Sequence, residues 1–464
     1  MVITTNTVAS LQFYPTLPHF ALPKAGVPAM LRESFPCPQS IAIVALIALS
    51  TTVSADDSWP QWRGPNQNGV AQSGNYPVQW DEDSQIAWKK QIPGKGSSTP
   101  VVEGQKAFLT SGLNEKNVLM AIDTSTGEIA WQLDLGPDRG NKHKKGGGSN
   151  PSPAVDDGRV FAYFRSGDLA CVSAADGKLI WQTNLQDQFG EDTLWWDLGS
   201  SPMLTDSAVV VAVMQSGPSY LVAFNKETGD VMWKEDRVLD APEEAAQSYS
   251  TPIATTVNNK PAIAVMGADH LTLHDAATGK TIGKLGGFNP TDHKYFRSIS
   301  SPAAEGDIVV CPYARGESVT AVRMNDLAAG KGTDAIAWFR DDLGSDVPTP
   351  AIDNGRVYLV GDGKSSRGTI WCLDLNTGET LWTLDTPKSR ISFSSSPLIA
   401  NDHLYVTGED ALTHVIGPLS SATPTIVASN KLGDDEPFTV ASPVPIEDSL
   451  LLRSKSNLYR IKGQ

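Results

Sequence analysis

The chain has 464 residues, with 52 acidic side chains against 37 basic ones and a formal net charge of −15. That balance argues against a non-specific nucleic-acid binder, which needs a basic face. Hydrophobic content of 40% is enough for a large core and rules out a disordered chain, and four cysteines are too few for a disulfide-built scaffold.

The first feature along the chain is a nine-residue apolar run, Ile41 to Leu49. It is far short of the ~20 residues that span a bilayer. Val53-Ser54-Ala55 follows as a small-residue cleavage site ahead of Asp56-Asp57. Together these have the anatomy of a secretory signal peptide, with translation starting at Met30 rather than Met1. The reading is therefore a leader over 1–55, an arm over 56–85 and a folded domain over 86–464. It places the protein in the periplasm or outside the cell, with no transmembrane segment once the leader is removed.

Beyond the arm the chain is a repeat. A Ser/Thr-Pro dipeptide recurs at Thr99, Ser152, Ser201, Thr251, Ser301, Thr349, Ser396 and Ser442, at steps of 53, 49, 50, 50, 48, 47 and 46. Between these anchors runs a second signal. Ala121-Ile122-Asp123 leads to Thr126-Gly127 and Trp131. Cys171-Val172-Ser173 leads to Gly177 and Trp181, Ala223-Phe224-Asn225 to Gly229 and Trp233, and Cys372-Leu373-Asp374 to Gly378 and Trp382. In Leu273-His274-Asp275 to Gly279, Gly283 stands in the Trp position.

The pattern is that of a hairpin. The Asp, Asn or Ser opens a turn through its side chain, and Gly takes the φ > 0 position that returns the chain to register. Another alternating strand lies upstream, as in Arg159–Phe161, Arg356–Tyr358 and His403–Tyr405. The Pro fits the first residue of a strand, where no ladder N–H is needed. Four short strands in ~48 residues make a propeller blade. The fifth unit carries an insertion over Met324–Asp334, and the seventh, His414 to Leu432, lacks both turn and Trp. The last unit, Ser442 to Ile461, supplies only three strands, while an orphan Trp strand, Ile86-Ala87-Trp88, precedes the first anchor. The predicted fold is thus all-β: an eight-bladed β-propeller of four-stranded antiparallel blades, its ring closed by the N-terminal strand.

These residues resemble the PQQ-like β-propeller repeat superfamily, and the tryptophans at 88, 131, 181, 233, 338 and 382 resemble its docking tryptophans. The family includes quinoprotein alcohol dehydrogenases, with pyrroloquinoline quinone (PQQ) and Ca²⁺ in the central channel, and a non-catalytic propeller of outer-membrane protein assembly. The resemblance is specific for fold and weak for activity, because the repeat encodes blade structure. Trp59-Pro60-Gln61-Trp62-Arg63-Gly64-Pro65, with Asn68-Gly69, resembles an opening of secreted planctomycete-type repeat proteins and has no assigned chemistry.

The candidate chemistry is sparse. Lys142–Gly148 is a basic, glycine-rich loop and reads as solvated. Cys171 and Cys372 share a small buried slot on opposite blades and, with Cys311, read as free core thiols. Trp195-Trp196-Asp197 precedes the third anchor, and Arg297 and Asp346 precede the fifth and sixth. The resemblance brings that stretch to the channel mouth, where an aromatic, an acid and a cation would suit a quinone or a sugar. His270 and His274 are ordinary strand positions with no third ligand nearby. Ala277–Thr281 mimics a phosphate loop but lacks its first glycine, which His274 replaces, and no helix pattern follows. There is no Ser-His-Asp arrangement, no haem motif and no adjacent cysteine pair.

The expectation is a monomeric, non-catalytic binding or scaffold module. It takes a protein or a small-molecule or carbohydrate ligand at the propeller face, and it has no catalytic residues, metal or cofactor. The alternative is a PQQ- and Ca²⁺-dependent oxidoreductase.

Overall fold

In the computed structural model, residues 58–433 and 437–463 are described. The leader predicted over 1–55 lies outside them. Among the described residues no helix is long and apolar enough to cross a membrane.

Among the described residues, thirty-two strands form eight four-stranded antiparallel sheets, one per repeat, each in up-and-down order. Blades 1 to 7 begin at inner strands Val101–Glu103, Ala154–Asp156, Met203–Leu204, Ile253–Val257, Ala303–Glu305, Ala351–Asp353 and Leu398–Ala400. Each inner strand starts one residue after its Pro, so the proline stands just ahead of the strand rather than as its first residue. Blade 8 takes Val444–Ile446, Ser449–Arg453 and Asn457–Lys462 from the C-terminus and Ile86–Gln91 from the N-terminus. Trp88 pairs with Arg460 and Gln91 with Asn457, which is the closure expected from the orphan strand.

The Ser or Thr before each Pro has a structural purpose. Its backbone N–H donates to the hydroxyl of its counterpart in the next blade: Thr99 to Ser152 at 2.9 Å, Ser152 to Ser201 at 3.0 Å, Ser201 to Thr251 at 3.0 Å and Thr251 to Ser301 at 2.8 Å. Ser301 donates to Thr349 at 2.8 Å, Thr349 to Ser396 at 2.9 Å and Ser396 to Ser442 at 3.1 Å. Ser442 donates to Thr99 at 3.0 Å and completes the circle. Only Ser and Thr bring a hydroxyl acceptor this close to the main chain. These bonds satisfy the last N–H before a residue that has none.

The seams are apolar. Five of the six docking tryptophans lie on the turn of the next blade, and each donates its indole N–H to a carbonyl there: Trp88 to Thr124, Trp131 to Ala174, Trp181 to Lys226, Trp233 to Ala276 and Trp338 to Leu375. The turns are held as predicted. Asp123 accepts the amides of Ser125 and Thr126, and Asp374 those of Asn376 and Thr377, all at 2.9 Å. The irregular repeats compensate one another. Where blade 4 has Gly283 in place of Trp, the insertion of blade 5 folds as a short helix, Met324–Ala328. Its buried Leu327 packs over that glycine. Trp382 faces blade 7, which lacks the turn, and its N–H finds no partner.

The arm is folded and specific. Inner strands leave one edge facing the channel, and the arm pairs with it blade by blade. Trp59 exchanges two backbone hydrogen bonds with Val102 of blade 1, and Pro60 O accepts from Val155 of blade 2. The side-chain oxygens of Gln61 and Gln67 accept from Leu204 of blade 3 and Ala254 of blade 4. Asn68 O and Gly69 O accept from Ile352 of blade 6 and Ile399 of blade 7. Trp59, Tyr76 and Trp80 are buried in a core shared with Tyr405 and Tyr459 of the last two blades.

Candidate functional site

The arm closes one end of the channel, and a cavity of about 710 Å³ opens above it. Its floor includes Trp62, and its wall includes seven of the eight ring hydroxyls, Thr349 being the exception. The connections between blades form its mouth.

Four of the five predicted residues line this cavity: Trp196, Asp197, Arg297 and Asp346. Trp195 does not. It is exposed on the surface, tied by its N–H to Gln247. The two tryptophans sit together at a bend and both are partly exposed, but only Trp196 borders the cavity.

Asp197 is buried and engaged. Its oxygens accept the amides of Lys142 and His143 at 2.8 Å each, and it pairs with Arg165 at 3.2 Å. The basic loop is therefore not a free solvated segment. Asp197 pins it at one end, Lys145 reaches Glu409 of blade 7 at 2.5 Å, and the His143 ring meets the Trp196 edge at 5.6 Å. The signal missed in the sequence was a carboxylate able to bind two successive amides of a glycine-rich loop.

Across the mouth lies a second network. Arg297 forms a two-pronged pair with Asp346, at 2.7 and 3.1 Å. Burial alone would lower the Arg297 pKa, but Asp346, helped by Glu244, reverses this and holds the guanidinium charged. Glu244, also buried, accepts the Trp196 indole N–H at 2.9 Å and pairs with Arg315 at 3.3 Å and Arg297 at 3.7 Å. Glu244 and Arg315 were not singled out in the sequence, because they belong to different loops and nothing local marks them.

Asp362 accepts the amides of Asp346 and Val347 at 2.8 and 3.0 Å. Burial, with the neighbouring Asp346 charge adding to it, pushes its carboxyl up to about 7. Between the ordinary carboxyl range and pH 7 the unfolded chain has lost this proton while the folded one keeps it, so stability falls as pH rises through that window. Asp362→Asn removes the titration. Relative to the variant, the wild type is expected to lose roughly 2–3 kcal/mol between pH 5 and pH 8. Urea midpoints at the two pH values check this; a difference that does not change with pH overturns it.

Elsewhere, His274 is buried between Gly279 O and Thr272 Oγ1, and burial lowers its pKa to about 4. His270 contacts Ala268 O. Cys171, Cys311 and Cys372 are free and buried.

The fold and this one-ended cavity define an eight-bladed repeat propeller with a central ligand-sized cup. A family model for PQQ-like repeats, described as outer membrane protein assembly factor BamB, matches residues 69–238, 196–326 and 323–424. The chain belongs to that family. It is 29% identical over 370 residues to the outer membrane protein assembly factor BamB of Yersinia pestis, covering 77% of this chain and 82% of that one. In fold it is similar to the crystal structure of BamB from Moraxella catarrhalis, with a TM-score of 0.56 and 15% identity over 81% of this chain and 99% of that one. It is also similar to the quinohemoprotein alcohol dehydrogenase from Comamonas testosteroni, with a TM-score of 0.65 and 12% identity over 89% and 82%.

The second likeness raises the question of a quinone and its metal. Such a site needs converging charges and a metal to polarise a carbonyl. Here Asp197 is taken up by backbone amides and Arg165, Asp346 by Arg297, and Asp362 by two amides. Among the described residues no three His, Cys, Asp or Glu side chains are grouped to hold a metal ion. The residues present do not fit the group.

Proposed function

We propose that this propeller is an exported, non-catalytic binding module that holds its ligand or partner at the cavity face. The observation that carries this reading is the way the cavity's charges are used. Its carboxylates and arginines neutralise one another or bind backbone amides, so the charges that line it are spent on holding its loops together. A dehydrogenase needs a base at hydrogen-bond distance from the substrate hydroxyl. Kinship with an assembly factor supports the same reading.

Titration with PQQ and Ca²⁺, read by absorbance and by dye reduction with alcohols and sugars, is expected to show neither binding at micromolar concentration nor turnover. Turnover that Asp346→Ala abolishes would overturn the reading and make the channel an active site.

Export is tested separately. Cleavage after Ala55 would leave only Asp56, Asp57 and Ser58 ahead of Trp59, the first buried side chain of the described fold. N-terminal sequencing of native protein is expected to begin near Asp56. Native protein that retains the segment Ile41–Leu49 refutes it.

A further inference from the structure

The arm does more than close the channel. Trp62 is held between two anchors: Gln61, bound to Leu204 of blade 3, and Arg63, whose buried guanidinium donates to Pro397 O at 2.6 Å and Pro350 O at 3.0 Å. Arg63 has φ +72, in the left-handed region that ordinary residues avoid. Strain of this kind persists where the surroundings over-determine it, and it clusters at ligand sites. The residue so positioned is an aromatic platform. Trp62 is only partly buried, faces the cavity and makes no hydrogen bond through its indole N–H.

Above this platform the wall is rich in hydroxyls. Ten serines and threonines line the cavity. Those of the ring accept a neighbour's backbone N–H, and none donates its own proton to another protein group, so each has a donor to offer. Most of the charges are paired: Asp197 with Arg165, Arg297 with Asp346, Arg315 with Glu244 and Lys145 with Glu409, while Lys144 also lines the cavity. A second aromatic, Trp196, stands at the mouth. A flat apolar platform under a ring of hydroxyl donors, with most of the charged side chains paired among themselves, matches a neutral polyhydroxylated ring. The C–H face of such a ring stacks on an indole while its hydroxyls bond around its rim.

We propose that the cup binds a short neutral oligosaccharide, with Trp62 as its stacking platform. This rests on the binding-module reading and names the ligand class for the same cavity.

The test is isothermal titration of the full processed protein with maltotriose, cellotriose and triacetylchitotriose, with trigalacturonate as the charged comparison. At least one neutral trisaccharide is expected to bind 1:1. Trp62→Ala is expected to weaken it about tenfold or more, and Trp62→Phe to restore most of the affinity. Phe339→Ala, exposed on the outer strand of blade 5, is expected to have no effect. A ligand-induced change in tryptophan fluorescence should be reduced in Trp62→Phe while binding persists, which keeps the test valid if Trp62→Ala misfolds. The proposal falls if no neutral trisaccharide binds with a Kd of about 1 mM or tighter, a binding free energy of only about −4 kcal/mol. It also falls if trigalacturonate binds tighter than all three, or if a well-folded Trp62→Ala binds as the wild type does. PQQ-dependent turnover overturns the non-catalytic reading instead, so the two failures are distinguishable.

Discussion

Deleting residues 56–90 is expected to abolish cooperative folding rather than trim the domain. Two losses combine. The closing strand Ile86–Gln91 leaves Asn457–Lys462 as an open sheet edge, which invites edge-to-edge aggregation. The arm takes with it Trp59, Tyr76 and Trp80, all buried. At about 1.5–3 kcal/mol for each buried large side chain, these alone supply roughly 5–9 kcal/mol, comparable to the whole net stability of an ordinary domain. The inner-strand amides of six blades also lose their partners in the arm. The expected product is aggregated on size exclusion and shows no sharp thermal transition. A shorter deletion, 56–85, keeps the closing strand. It should remain a ring with a lower melting temperature and an open channel. An unchanged melting temperature in the longer deletion would refute the role assigned to the N-terminus.

The frame of this ring was legible because its determinants are local and repeated. The Asp–Thr–Gly turn is three or four residues wide, the Trp stands four beyond the Gly, and the Ser/Thr-Pro anchor returns every ~50 residues. Even the closing strand could be read, since an orphan Trp strand at one end matched a missing strand at the other. What escaped depends on contacts made only after closure. The hydroxyl circle joins residues 46 to 53 apart and, at its last link, Ser442 to Thr99. The arm's destination is set by partners such as Pro350 and Pro397, almost three hundred residues and more from Arg63. The same limit applies to the site. The family resemblance brought Trp196, Asp197, Arg297 and Asp346 to the mouth, but not what each carboxylate would be used for. Asp197 looked available as a ligand group and is a pin for the basic loop. Trp195 shared its neighbour's sequence context and faces outward. The docking of Leu327 over Gly283 shows the converse. An insertion in one repeat and a missing Trp in the one before looked like two unrelated departures and are a single packing solution.

The seams themselves are open to a quantitative test at Gly279. Its φ is +73, a conformation that costs an L-residue about 1–2 kcal/mol. A Cβ there would also stand 2.3 Å from the ring of Trp233, the docking residue of blade 3, inside any real contact distance. The ring cannot retreat freely, since its N–H is bonded to Ala276 O and its faces are packed between two blades. Gly104 separates the two effects. Its φ is +56, but a Cβ there would meet nothing within 4 Å. Gly104→Ala is therefore expected to lose only the backbone cost, about 1–2 kcal/mol. Gly279→Ala should lose that plus roughly 1–3 kcal/mol of overpacking as blades 3 and 4 are forced apart. Denaturant midpoints of the two variants measure the difference. Trp233→Leu in the Gly279→Ala background should relieve the overlap, so the double variant should be destabilised by less than the sum of the single ones. Equal losses at Gly104 and Gly279, or strict additivity in the cycle, would mean that the glycine is needed for its backbone alone and that the indole does not set the distance between blades.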